Sequence, residues 1–272
     1  MTFSSKLTSI QQRSNSLLCV GLDTDIQKLP ESMRSRPHAV LEFNKRIIDA
    51  TKDLVSAYKI NFAFYEMLGK KGWQIMNHTL KFIPSSVITI ADAKRGDIGN
   101  TSAQYAKAIL QEMEFDAITV APYMGKDSVQ PFLEDPAKGV FLLALTSNAG
   151  AFDFQYKKIG KKRLFEEVVT QSQRWAEHDN LGFVVGATKS KDIRTVRTLA
   201  PEIPFLVPGV GAQGGSVKEV IKYGCTGDGN GVLINASRSI LYASPEKDFP
   251  QAARSEALKL KNEINFFREK YY

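Results

Sequence analysis

The run Asp92-Ala93-Lys94-Arg95-Gly96-Asp97 sets two carboxylates and an ammonium close together just after an apolar stretch. On a strand, residues two apart share a face, so Asp92 and Lys94 point the same way while the small Ala91 and Ala93 face the other. A lysine buried beside an aspartate keeps its charge and a fixed place, which suits an ammonium that must deliver a proton. The same pattern also fits an ion pair that only braces the end of a strand. Similar residues close other apolar runs: Asp23 ends the first, Lys59 lies in the second, Ser147 ends the fifth, Pro208–Gly209 the seventh, and Arg238 follows the eighth.

These runs define the elements that must position the chemistry. The expected strands are Leu17–Asp23, Ser56–Phe64, Val87–Lys94, Ala117–Pro122, Val140–Ser147, Leu181–Ala187, Phe205–Gly209 and Gly231–Asn235. Between them lie helical patterns at Ala39–Leu54, Tyr65–Phe82, Ser102–Glu114, Leu164–His178, Asp192–Leu199 and Ser216–Tyr223. A short helix is expected at Lys126–Asp135 and a long one at Pro250–Glu269. Strands alternating with helices imply parallel pairing, and eight such units in one undivided chain, residues 1–272, give an α/β fold, a single-domain (β/α)8 TIM barrel. A doubly wound open sheet is the runner-up, but it usually carries a Gly-rich turn after its first strand, where this chain has Asp23. In a barrel, the C-terminal strand ends form the face on which active sites are built.

The 272 residues are 43% hydrophobic and 24% charged, ordinary for a globular chain. Two cysteines, Cys19 and Cys225, make no disulfide framework, and no apolar run reaches the roughly 18–20 residues of a membrane span. The start of the chain, Met1 to Gln12, lacks the apolar stretch of a signal peptide, so a cytoplasmic protein without a membrane partner is expected. The net charge of +7 raises the question of a nucleic-acid partner. Its sharpest cluster, Lys157, Lys158, Lys161, Lys162 and Arg163, has only Tyr156 beside it and reads as a solvated loop and helix start. His38, His78 and His178 have no ligand spacing and read as surface or helix-packing residues, no Cys/His set forms a metal site, and Trp73, Trp175, Phe62, Phe64 and Tyr65 read as core.

Barrels often hold phosphate with the loops after strands seven and eight. Here those loops carry the Gly-rich Gly209–Gly215, which includes Gln213, and the basic Arg238. Glycines let backbone N–H groups approach an anion, and arginine adds a charged fork.

The stretch Asp92–Thr101, DAKRGDIGNT, resembles the signature of orotidine 5'-monophosphate decarboxylases, D-x-K-x-x-D followed by I-G-N-T. Leu22–Asp23, Tyr58-Lys59-Ile60-Asn61, Ser147–Gly150, Val207–Gly211 and Ser237-Arg238-Ser239-Ile240 match the family in order along almost the whole chain. The Asn235-Ala236-Ser237-Arg238 run, where many members have a Gly-Arg pair, resembles a less common, largely bacterial branch. The resemblance implies catalytic roles for Lys59, Asp92, Lys94 and Asp97 around the scissile carboxylate of a nucleotide. It implies a homodimer in which Asp97 and Thr101 reach the other subunit's site. It also assigns Asp23 to the ribose, Ser147 (or Thr146) to the pyrimidine, and Pro208, Gln213 and Arg238 to the substrate, the last two gripping its phosphate. Decarboxylation leaves electron density at C6 with no ring position to delocalise it well, and most decarboxylases borrow an electron sink from pyridoxal phosphate or thiamine. No motif for either is present, so no cofactor is expected, and Lys94 would stabilise the carbanion and protonate it.

Two rivals remain. Related Mg²⁺-dependent sugar-phosphate decarboxylases and aldolases share D-x-K-x-x-D but place a metal-binding carboxylate just before it, where this chain has Thr89, Ile90 and Ala91. A noncatalytic barrel binding nucleotides or RNA would have no need of Lys94 between two aspartates.

Overall fold

The computed structural model describes every residue except Pro37, Lys189, Ala212 and Gln213, and Ser190 without its side chain. Among the described residues the strands are β1 (Leu18–Gly21), β2 (Ala57–Asn61), β3 (Ile88–Arg95), β4 (Ala117–Val120), β5 (Gly139–Leu145), β6 (Lys158–Ile159), β7 (Lys162–Arg163), β8 (Leu181–Val185), β9 (Phe205–Pro208) and β10 (Val232–Ala236). All but β6 and β7 pair in parallel into a closed barrel, β1 hydrogen-bonding to both β2 and β10. Closure excludes the open doubly wound sheet. The expected strands are all present, but most end earlier than their apolar runs, because the last residues bend into the loops of the mouth.

Strand side chains alternate between two cores. One set packs outward against the helices, and the other fills the barrel with Cys19, Ala57, Ile88, Ile90, Ala117, Phe141, Val184, Leu206 and Leu233. The N-terminal end of that inner core is closed by a helix the apolar-run reading missed, α1 (Phe3–Ser14). Thr2 caps it, its hydroxyl accepting from Ser5 N–H, and Asn15 ends it in the left-handed conformation. Phe3, Leu7, Ile10 and Gln11 form its buried face. The Gln11 amide donates to Val232 O (2.7 Å) and accepts from Gly231 N–H (3.3 Å), tying the plug to the start of β10. Phe3 meets Phe141 edge-on at 5.8 Å, and a Cβ on Gly139 would lie only 2.5 Å from the Phe3 ring.

Several helices differ from their patterns. The expected Tyr65–Phe82 helix is two, Ala63–Glu66 and Lys70–Leu80, parted at Gly69, which has a φ of +60°. Ser102–Glu114 begins earlier, at Gly99, and its second half, Lys107–Glu112, is π-helical. Leu164–His178 stops at Ser172. The short helix is present at Lys126–Leu133, and the last, Phe249–Tyr271, packs Phe249 flat on Phe43 at 4.7 Å. The basic cluster forms the β6–β7 hairpin, and Arg163 turns inward to Glu166 (2.8 Å) and Asp192 (2.7 Å) while its lysines stay in water. The three histidines are exposed as expected, but Trp73 is a surface residue leaning edge-on against Phe62 rather than core. No helix among the described residues is long and apolar enough to cross a membrane.

Because Phe3 fills a site with little room to collapse, Phe3→Ala should destabilise the chain by about 3–5 kcal/mol. Urea unfolding followed by tryptophan fluorescence measures this. A loss below about 1 kcal/mol would mean that α1 only lies against a core complete without it.

Candidate active site

The C-terminal strand ends enclose a cavity of about 590 Å³, in the range of small-molecule sites. Its floor is apolar, from Leu143, Val184 and Leu206, and its walls carry Asp23, Lys59, Asp92, Lys94, Thr119, Ser147, Pro208 and Arg238. Seven of the ten residues singled out in the sequence therefore line one opening. Asp97 and Thr101 are not among the described residues that line it, and Gln213 lies outside the described residues.

The charged groups form a chain. Lys59, its side chain only 5% exposed, donates to Asp23 Oδ1 at 3.2 Å and to Asp92 Oδ2 at 3.0 Å. Asp92 Oδ1 accepts from Lys94 Nζ at 2.5 Å and from the Thr119 hydroxyl at 3.1 Å. At the other end the Ser237 hydroxyl donates to Asp23 Oδ2 at 2.8 Å. This close approach requires glycine at position 21, where a Cβ would sit 2.0 Å from Ser237 Oγ. All four carboxylate oxygens thus have a donor.

Burial opposes the charge of Lys59, yet Asp23 and Asp92 outweigh it and raise its pKa. Burial likewise opposes the charge of Asp92, but Lys59 and Lys94 prevail and hold its carboxyl down at about 2. Cys19 lies in the barrel interior below, where burial pushes its thiol up to about 12.

Lys94 is not the buried ammonium expected: its side chain is 50% exposed, and Lys59 is the buried one. Nor does simple strand alternation aim it. The pairing of β3 with β4 slips between Ala91 and Arg95, and Lys94 has a φ of +47°. Such a bulge re-aims a side chain at the mouth of a barrel. Arg95 points away from the cavity, paired with Glu66 and lying over the rings of Phe62 and Tyr105.

Arg238 starts the turn Arg238–Leu241 after β10 and lines the cavity with Gly209, Val210 and Ser239. Gly209 and Gly211 have φ of +94° and +70°, which only glycine adopts without strain. Thr146 and Ser147 both line the cavity; the Thr146 hydroxyl donates to Asn148 Oδ1 (2.6 Å) and accepts from Gln155 (2.8 Å). Beyond the cavity, Asp97 Oδ1 accepts from the Ile98 N–H (2.7 Å), and Thr101 lies in the first turn of Gly99–Ala106.

Sequence reasoning missed Thr119 and Ser237 as site residues. The available signal was a lone hydroxyl in the apolar Ala117–Val120 strand and a serine directly before Arg238.

Comparison with known proteins settles the lineage. The model of the Orotidine 5'-phosphate decarboxylase / HUMPS family matches residues 16–253. The chain belongs to this family. It is 48% identical over 275 residues to an orotidine 5'-phosphate decarboxylase of Dehalococcoides mccartyi, covering 100% of both chains. It is 51% identical over 264 residues to that of Christiangramia forsetii, covering 96% of this chain and 97% of the relative. Among solved structures it resembles the OMP decarboxylase of Leishmania donovani with a TM-score of 0.88 at 38% identity, covering 99% of this chain and 100% of that one. The family match begins at Ser16, just beyond α1.

The depressed pKa of Asp92 makes the stability of this barrel mouth pH-dependent in a defined direction. A carboxyl at about 2 in the folded chain, against an ordinary 3.8, contributes stability above pH 4 that is lost as pH falls through 2. The difference corresponds to about 2 kcal/mol. The stability gap between the wild type and Asp92→Asn should therefore narrow by about that much from pH 5 to pH 2, as read by denaturant unfolding. A gap constant over that interval would show that the lysines do not set the charge of Asp92.

Proposed function

We propose that the chain decarboxylates orotidine 5'-monophosphate to uridine 5'-monophosphate and CO2, the last step of de novo UMP synthesis. The observation that carries this reading is the Lys94 ammonium, held at the cavity mouth by Asp92, whose other carboxylate oxygen is paired from below with buried Lys59. The full-length relatives bearing the decarboxylase name support it. Nothing favours the metal-dependent sugar-phosphate reaction, and Thr89, Ile90 and Ala91 supply no carboxylate before Asp92.

In the proposed reaction the bond from C6 to the carboxylate breaks and its electron pair stays on C6. Lys94 stabilises that charge, transfers a proton to C6, and recovers one from water. The chain's own lysines and aspartates supply the charge this requires, so no cofactor enters the scheme. Asp23 would hold the ribose, Ser147 the pyrimidine, and Gln213 and Arg238 the phosphate, beside Pro208.

The same reading makes the active unit a homodimer, with Asp97 and Thr101 serving the second subunit's cavity. Both lie beyond the rim of their own, and exposed apolar side chains, Ile98, Tyr105, Tyr123 and Met124, follow β3 and β4 on that side. Two buried, unpaired cysteines are in keeping with the cytoplasm as its place.

Absorbance change on adding orotidine 5'-monophosphate to the pure protein tests the reaction, and an inert wild type would sink it. Lys94→Ala and Asp97→Ala should each be nearly inactive. Mixed after dissociation, they should regain activity, because one site of each heterodimer then carries neither lesion. Mixed dimers that form yet stay inactive would place Asp97 in its own chain's site.

Arg238→Ala should lower kcat/KM for the nucleotide roughly 10–200-fold, the loss of one charge-assisted contact. The bare nucleoside, which never makes that contact, should be almost indifferent. Equal losses for both substrates would move the phosphate site elsewhere.

A further inference from the structure

The bulge that aims Lys94 creates a backbone problem. In β3, Ala91 pairs with Ile118 and Arg95 with Val120, so the three residues between them face a single β4 residue, Thr119. The ladder cannot serve all their backbone groups, and Lys94 also stands in the left-handed region, costly for a residue with a Cβ. Thr119 Oγ1 accepts the Lys94 N–H at 2.9 Å, and the same hydroxyl donates to Asp92 Oδ1 at 3.1 Å. Thr119 is 1% exposed, so water does not compete for either bond. Its one hydroxyl, acceptor on one side and donor on the other, connects the Lys94 backbone to the carboxylate that holds the Lys94 ammonium.

We infer that Thr119 is a positioning residue for the decarboxylation, fixing both ends of Lys94 through its hydroxyl. This rests on the reading of Lys94 as the proton donor. A valine at 119 keeps the shape and removes both bonds. The Lys94 amide then loses its partner, Asp92 loses a donor, and the ammonium is free to leave the reacting carbon.

The test compares Thr119→Val and Thr119→Ser in the full chain by kcat, affinity for UMP, thermal unfolding and hydrogen exchange at the Lys94 amide. Thr119→Val should lower kcat roughly 10–100-fold, the range for losing a hydrogen bond to a charged group. UMP affinity should change little, because the product has no carboxylate for Lys94 to face, and the Lys94 amide should exchange faster. Thr119→Ser should restore slow exchange and most of the turnover. If the valine variant fails to fold, Thr119→Ala carries the same expectations.

Wild-type kcat without the hydroxyl would overturn the inference, as would unchanged Lys94 exchange. A parallel fall of UMP affinity and melting temperature with kcat would do the same, since that marks a packing role. A wild type inert toward orotidine 5'-monophosphate would sink the decarboxylase reading instead. Lys94 amide exchange would then still decide whether Thr119 holds Lys94.

Discussion

An ammonium buried in the wall of a barrel costs several kcal/mol unless partners replace the water it has lost, and Lys59 is such a group. Two carboxylates on neighbouring strands, Asp23 beyond β1 and Asp92 in β3, supply that replacement. Each carboxylate then has an outward oxygen that also needs a donor. Ser237 fills the need for Asp23, and Lys94 with Thr119 for Asp92. From one buried charge the network spreads over β10, β1, β2, β3 and β4. These strands are neighbours only because the barrel closes between β10 and β1.

Closure alone does not make such a network rigid. The charged mouth stands on an apolar inner core, and that core would open to water at its other end without α1, whose Phe3, Leu7 and Ile10 complete it. A dry interior keeps the local dielectric low, which strengthens the lysine–aspartate interactions above it. Helix and ion network lie at opposite ends of the barrel, yet each depends on the same inward-facing strand residues.

Much of this was legible in the sequence, and the exceptions have physical causes. Buried parallel strands read as short apolar runs, so all the barrel strands could be placed, and charged residues closing those runs marked the mouth. α1 escaped because its polar residues outnumber a narrow apolar face, and its N-terminus looks like an ordinary tail. The exposure of Lys94 escaped for another reason. Period-two alternation assumes an unbroken ladder, and the bulge between Ala91 and Arg95 has no signature in residue types such as Ala-Asp-Ala-Lys. Thr119 was invisible for the same cause, since its role exists only opposite that bulge. The dimeric expectation for Asp97 and Thr101 came wholly from family resemblance; in the single chain both stand outside their own cavity, and exposed apolar side chains follow β3 and β4.

The bulge also bears on how the proposed reaction could be accelerated. Before substrate arrives, Lys59 and Lys94 balance Asp23 and Asp92, so the chain of charges is neutral. A substrate carboxylate about 4 Å from Asp92 would be repelled by roughly 4 kcal/mol at an effective dielectric near 20. Enzymes commonly lower barriers by about 8–23 kcal/mol, so repulsion alone leaves most of such a reduction unexplained. The larger share must come from a group whose attraction grows as charge develops on C6, the part the proposed reaction gives to Lys94. Such stabilisation is strong only if the ammonium need not reorganise during the reaction. A left-handed residue costs on the order of 1–3 kcal/mol, and it persists only where neighbours over-determine it. At Lys94 those neighbours are Asp92 on the side chain and Thr119 on the backbone, so stability given up in β3 fixes the place of one ammonium at the barrel mouth.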